Sequence, residues 1–115
     1  MARILLAEDD PEVRSVLREA LAEPGHHVHG VAGRDALAEL SAARWDMVIA
    51  SVPTSVEAVV LCRCAQAAGA RCLLLSGHPD TMRALDEQRL SYLAKPMTGE
   101  ALRDRVATLL NPPSP

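Results

Sequence analysis

Polar side chains with the potential for chemistry stand directly after four short apolar runs of this chain. They are Glu8, Asp9, Asp10, Ser51, Ser76 and Lys95. Carboxylates crowded at one strand end are costly unless a cation compensates their charge. Oxygen-only ligands favour hard ions such as Mg²⁺, while a lysine and a hydroxyl can bind phosphoryl oxygens. The set therefore points to phosphoryl chemistry, but a nucleophilic carboxylate is missing from it.

The elements that position these side chains alternate regularly between strand and helix patterns. Strands are predicted at 3–7, 27–32, 46–51, 71–76 and 91–95. Helices are predicted at 11–22, 34–43, 55–68, 79–88 and from 99 onward. Strict alternation implies right-handed crossovers and a parallel sheet with helices on both faces. In such sheets the functional crevice lies beyond the carboxyl ends of the strands, where these polar residues stand.

Apolar spacing predicts which helix faces turn inward. Asp10 is a good N-cap before Pro11, and Thr98 caps the last helix. Period-3.6 spacing places the following residues toward the core: Val13, Val16, Leu17, Ala20 and Leu21 in the first helix, Ala36, Leu37 and Leu40 in the second, and Leu102, Val106, Leu109 and Leu110 in the last.

The composition of the chain argues against several classes of function. The 115 residues suit one domain, 1–110, followed by a proline-rich tail at 111–115. Aromatic residues make up only 2% and the net charge is −3, which argues against nucleic-acid binding. No apolar run is long enough to span a membrane, and the first residues do not resemble a signal peptide. We expect a cytoplasmic protein in which Cys62, Cys64 and Cys72 are reduced thiols.

From Arg3 to Leu110 the chain resembles a response-regulator receiver domain of two-component signalling. "ILLAEDDPEVR" is similar to the family's first strand and acidic pair, which would be Glu8 and Asp9. "LLLSG" places Ser76 at the hydroxyl switch position. "YLAKP" places Tyr92 at the switch aromatic and Lys95 at the family's lysine, with Pro96 following, usually through a cis peptide. The resemblance implies a flavodoxin-like (βα)5 fold: a doubly wound, parallel, five-stranded sheet of order 2-1-3-4-5 in a three-layer α/β/α arrangement.

One position departs from the family. Receivers end the third strand with the phosphoacceptor aspartate, but "WDMVIAS" ends with Ser51. A serine hydroxyl is a weak nucleophile at neutral pH, and the motif places no histidine base nearby. The remaining metal ligands would be Glu8, Asp9 and a backbone carbonyl near Pro53, so Mg²⁺ binding is expected to be weak and not required. We expect Lys95 to form a salt bridge with Asp9.

The resemblance therefore implies an atypical receiver, a pseudo-receiver without enzymatic activity, that acts in phosphorelay signalling by binding proteins. Its partners would be a histidine kinase, another receiver or a second copy of itself. The family's usual partner face is the fourth helix, fifth strand and fifth helix. In this chain that face comprises Met82, Arg83, Leu85, Asp86, Tyr92, Met97, Glu100 and Arg103.

Two alternatives stay open. A receiver could still accept a phosphoryl group on another side chain, such as Ser51 or Asp10. A small α/β phosphatase would need a nucleophilic aspartate after the first strand and an acid two residues on. Glu8 and Asp10 have that spacing, but the first acid is a glutamate and the chain is too short for a cap domain.

Overall fold

Within residues 1–51 and 54–111, which the computed structural model describes, five strands alternate with five helices. The strands are β1 (Arg3–Ala7), β2 (His27–Val31), β3 (Met47–Ser51), β4 (Arg71–Ser76) and β5 (Tyr92–Ala94). The helices are α1 (Pro11–Ala22), α2 (Ala36–Ala42), α3 (Ser55–Ala67), α4 (Pro79–Glu87) and α5 (Gly99–Leu110). A 3₁₀ turn, Gly33–Asp35, precedes α2. Most of the predicted tail, 112–115, lies outside the described residues.

The strands form one parallel sheet of order β2-β1-β3-β4-β5, as the resemblance implied. β1 and β3 are central, and nearly every residue in them is buried. Ala7 pairs with Ala50, and Ser51 with Leu75, so the carboxyl ends of β1, β3 and β4 reach the same edge of the sheet. The residues that follow these strands therefore share one crevice.

An aliphatic core covers both faces of the sheet. On one face Leu5, Val48 and Leu74 pack beneath α2, α3 and α4. On the other face Ile4, Ile49 and Leu73 pack with residues of α1 and α5. Side chains of alternate residues in each strand lie on opposite faces, which is why the strands covered on both faces, β1, β3 and β4, are nearly continuous apolar runs. None of the described helices has the length and apolar character needed to cross a membrane.

Three residues that were predicted to face inward are exposed. Val13 and Val16 on α1 are 39% and 65% exposed, and Leu37 on α2 is 47% exposed. The helix α1 packs against β2 and α5, and this contact buries Leu21 and partly buries Leu17. The prediction for these residues was wrong because the set of apolar positions was wider than the surface that one helix at the margin of the sheet can bury.

The prediction of reduced thiols was also wrong for two of the cysteines. Cys62 of α3 and Cys72 of β4 are joined by a disulfide, with their Cα atoms 5.5 Å apart. Both residues are buried in the core between α3 and the sheet. Cys64 is exposed and free, because two residues along a helix turn its side chain about 200° away from that of Cys62.

Candidate functional site

A cavity of about 360 Å³ lies at the carboxyl edge of the sheet, where the sequence predicted a site. It brings together all but one of the chemically promising strand-end residues. Its lining includes Glu8, Asp9, Ser51, Ser76 and Lys95. Asp10 is the exception, because it faces α1 instead. His78, which the sequence did not single out, lines the same cavity.

Glu8 is the most deeply buried charged residue of this site, with 7% of its surface exposed. Its backbone N–H donates to the Val31 carbonyl at 2.9 Å, which extends the pairing of β1 with β2 by one residue. Its Oε1 accepts from the Asp10 N–H at 3.3 Å. Its Oε2 is buried without a partner among the described residues. A buried, unpaired carboxylate oxygen is costly and has a strong tendency to bind a donor or a cation.

Asp9 and Asp10 hold backbone turns. Asp9 Oδ1 accepts from the Gly33 N–H at 2.7 Å. A Cβ at Gly33 would lie 3.1 Å from that oxygen, so the glycine permits the close approach. Asp10 caps α1, and its Oδ1 accepts from the Glu12 N–H at 2.9 Å. Both carboxylates therefore already carry structural hydrogen bonds.

Arg14 is a site residue that sequence reasoning missed. Its Nη1 donates to the Glu8 carbonyl oxygen at 2.9 Å. The side chain passes over β2 at Gly30, where a Cβ would lie 3.0 Å from Arg14 Cγ. A glycine inside a strand often marks a close approach of this kind, so Gly30 was the available signal.

Lys95 contacts Ser51 instead of Asp9. Its Nζ donates a hydrogen bond to Ser51 Oγ, and its backbone N–H donates to the Ser76 carbonyl at 2.8 Å. No ion pair joins Lys95 to Asp9 in the part of the chain that the structure describes, so the predicted salt bridge was wrong. The bond between Lys95 and Pro96 is cis, as the resemblance implied.

Ser76 and Tyr92, which the resemblance placed at switch positions, are both hydrogen-bonded. Ser76 is buried, and its Oγ accepts from the His78 N–H at 3.2 Å. Tyr92 is partly exposed, and its hydroxyl donates to Asp86 Oδ2 at 3.0 Å. That hydrogen bond, followed by burial and the charge of Asp86, raises the pKa of Tyr92 above its usual 10.0. Tyr92 is therefore a neutral donor throughout the physiological range.

Two residues of the predicted partner face do not contribute exposed surface to it. Leu85 is fully buried in the core beneath α4. Arg103 turns toward α1, where its Nη1 lies 3.4 Å from Glu23 Oε2. Met97 is half-buried against the apolar cluster beneath α5. The residues that keep surface on this side are Met82, Arg83, Asp86, Tyr92 and Glu100, which we call the α4 face.

The described residues are a poor fit to Mg²⁺. Glu8 Oε2 is an available ligand, but Asp9 is bound to Gly33 and Ser51 to Lys95. Within 1–51 and 54–111, no group of three histidine, cysteine or acidic side chains could hold a metal. The predicted carbonyl ligand near Pro53 lies outside the described residues. The Lys95 Nζ supplies the positive group that this pocket contains.

Solved receiver domains have the same fold as this chain. The receiver domain of the hybrid histidine kinase CckA is 28% identical, with a TM-score of 0.75 over 95% of this chain and 99% of that chain. The receiver domain of a histidine kinase from Syntrophus aciditrophicus is 26% identical, with a TM-score of 0.81 over 96% and 90%.

A third similar structure is that of a response-regulator complex. It is the response regulator TrrA from Thermotoga maritima in complex with Mg²⁺ and BeF, which is 24% identical, with a TM-score of 0.80 over 95% of this chain and 99% of that chain. No protein-family model and no curated protein matches the chain. The structural neighbours are thus receiver domains, from response regulators and from histidine kinases, and the predicted flavodoxin-like fold is confirmed.

Proposed function

We propose that this chain is a pseudo-receiver: a non-enzymatic signalling module that binds a partner protein without first being phosphorylated. The observation that carries the proposal is the hydrogen bond from Lys95 to Ser51 at the end of β3. In this contact Lys95 donates to the hydroxyl and does not take its proton, so Ser51 remains a weak nucleophile. His78 lines the cavity but makes no hydrogen bond to Ser51 in the described part of the chain.

The α4 face is the surface through which we propose that the protein acts. Tyr92 is fixed on this side by its hydroxyl contact with Asp86 and by the 2.8 Å hydrogen bond from Arg105 Nη1 to its carbonyl oxygen. These contacts require no phosphoryl group, so they support a face that is ready to bind at all times. The partners we propose are a histidine kinase, another receiver or a second copy, in the cytoplasm.

Comparative capture from an extract of the native cells tests this function. Immobilised wild-type protein is compared with a Met82→Glu, Arg83→Glu variant of the α4 face, and bound proteins are identified by mass spectrometry. We expect wild type to retain a histidine kinase, a receiver or its own second copy, equally with and without acetyl phosphate. The variant should lose that partner because both substitutions add negative charge to the contact.

An Arg18→Glu variant is the matched control, because Arg18 is exposed on α1, on the other side of the sheet. It should retain the partner. Capture that requires acetyl phosphate, or capture that the α4-face variant retains, would contradict the proposal.

A further inference from the structure

The largest described cavity lies at the edge of the sheet opposite the Ser51 pocket, and nothing in the proposed function uses it. Its volume is about 850 Å³, which is within the range of small-molecule sites. Two arginines line it: Arg71 at the start of β4 and Arg89 before β5. Arg71 begins β4, and Arg89 lies in the turn between α4 and β5, the strand that pairs with β4.

Neither guanidinium has a partner among residues 1–51 and 54–111. The described ion pairs involve other residues, and the arginine side chains that donate hydrogen bonds are those of Arg14, Arg63 and Arg105. Two guanidiniums that line one cavity without a side-chain hydrogen bond to any described residue have donors available for an anion. Asp46 also lines the cavity; its Oδ2 accepts from the Arg3 N–H at 2.8 Å, and it forms no ion pair with either arginine in the part of the chain that the structure describes.

The backbone conformation of Arg89 is a second, independent observation that favours a binding role for its side chain. Arg89 has φ 57, and it is the one non-glycine residue with positive φ among those described. It follows α4 in a Schellman turn, in which the Leu90 N–H donates to Leu85 O and the Arg89 N–H to Asp86 O. Glycine is the residue that this position favours, because a side chain there costs free energy.

The neighbouring helix provides the comparison. α3 ends in the same turn, with Ala70 N–H donating to Ala65 O and Gly69 N–H to Gln66 O. Its left-handed residue is Gly69, with φ 83, and it lines the same cavity. Two equivalent turns therefore border one cavity, and only one of them carries a strained arginine. Strain of this kind is frequent at binding sites.

We infer that this cavity binds a small molecule that bears a phosphate group. A guanidinium matches the geometry of phosphate oxygens and can bind them through two parallel hydrogen bonds, and two guanidiniums line this cavity. His26 lines the cavity as a further polar group, and its Nδ1 accepts from the Ala2 N–H at 3.3 Å. The apolar wall formed by Ala2, Ala70, Leu109 and Leu110 would contact the organic part of the ligand.

Amide chemical-shift titration of the full chain with AMP and with inorganic phosphate tests this inference. We expect saturable shifts at Ala70, Arg71 and Ser91, and tighter binding of AMP because only AMP has an organic part. Absence of saturable shifts, shifts confined to Ser51 and Lys95, or equal affinity for the two probes would overturn the inference.

Variants separate binding from folding. Arg71→Gln should weaken AMP binding about tenfold, as expected for loss of a charged hydrogen-bond donor. Arg89→Gly should weaken it similarly while the melting temperature stays equal or rises, since glycine relieves the strain. Arg18→Gln, on the exposed surface of α1 and outside the cavity lining, is the control and should bind like wild type. Unchanged affinity in Arg71→Gln and Arg89→Gly would refute the site. The Ser51 pocket takes no part in this test, so the proposed function can fail independently.

Discussion

Lys95 donates its side-chain hydrogen bond to Ser51, and this contact determines the electrostatics of the pocket. An aspartate at position 51 would add a third carboxylate beside Glu8 and Asp9, and such a group of like charges is stable only with a cation. The serine removes that repulsion and provides an acceptor for the lysine. In the proposed function, this one difference from the receiver pattern accounts for both the lack of a nucleophilic carboxylate and the weak metal site.

Tyr92 allows the α4 face to be tested at the level of one residue. Asp86→Asn should lower the pKa of Tyr92 toward 10.0, because it removes the carboxylate that accepts from the hydroxyl and whose charge disfavours ionisation. Spectrophotometric titration reads this directly, since the chain contains one tyrosine. Asp80→Asn, on the same helix but paired with Arg83, should leave the titration unchanged.

The same contact predicts how stability depends on pH. Because folding raises the pKa of Tyr92, the contribution of this contact is fully present below pH 10 and is lost as pH rises beyond it. Asp86→Asn should flatten that alkaline decline. A Tyr92 that titrates identically in wild type and Asp86→Asn would show that the hydrogen bond does not form in solution.

At the scale of elements, the ends of α3 and α4 show how local chemistry sets a helix terminus. Both helices end in Schellman turns whose left-handed residue is Gly69 in one and Arg89 in the other. The presence of Gly69 in the sequence predicted where α3 ends. The sequence also predicted the end of α4 to within one residue, although arginine is not a terminating signal. Packing of Leu85 and Leu90 in the core fixes that turn instead.

Substitutions at the two turn residues should change the free energy of unfolding in opposite directions. Arg89→Gly should raise the free energy of unfolding by about 0.5–1 kcal/mol, because glycine adopts positive φ without steric cost. Gly69→Ala should lower it by about 1–2 kcal/mol through its φ alone, since an added Cβ meets nothing within 4 Å. Urea unfolding of both variants measures this. Destabilisation by Arg89→Gly would show that the arginine side chain stabilises the fold by itself.

The disulfide between α3 and β4 makes a second prediction at this scale. Without reductant, alkylation followed by mass measurement should modify Cys64 alone, and after reduction under denaturing conditions it should modify all three cysteines. Reduction should lower stability by about 2–3 kcal/mol for a closed loop of this length. Ser substitution of Cys64 should have little effect because that thiol is exposed. Three reactive thiols in the unreduced, unfolded protein would show that the disulfide is absent.

At the scale of the whole molecule, the alternating strands and helices could be predicted because apolar period and turn residues agree along the chain, whereas the strand order followed from the resemblance to receiver domains. Strand ends then placed Glu8, Asp9, Ser51, Ser76 and Lys95 in one cavity. Side-chain pairing could not be predicted, since several acceptors lie within reach of one lysine. The exposure of Val13, Val16 and Leu37 depends on how much of each helix packs against the sheet and the neighbouring helices. The pairing of Cys62 with Cys72 depends on how α3 packs against β4. Neither is encoded in local spacing.

Intact-mass measurement after incubation with acetyl phosphate and Mg²⁺ tests the central claim most directly. We expect wild type to show no added mass, because Ser51 is a neutral hydroxyl bound by Lys95. Ser51→Asp should gain the mass of one phosphoryl group, because it restores a nucleophilic carboxylate beside Glu8 and Asp9 and with it a metal site. A phosphoryl group on the wild-type chain that Ser51→Ala abolishes would contradict the account.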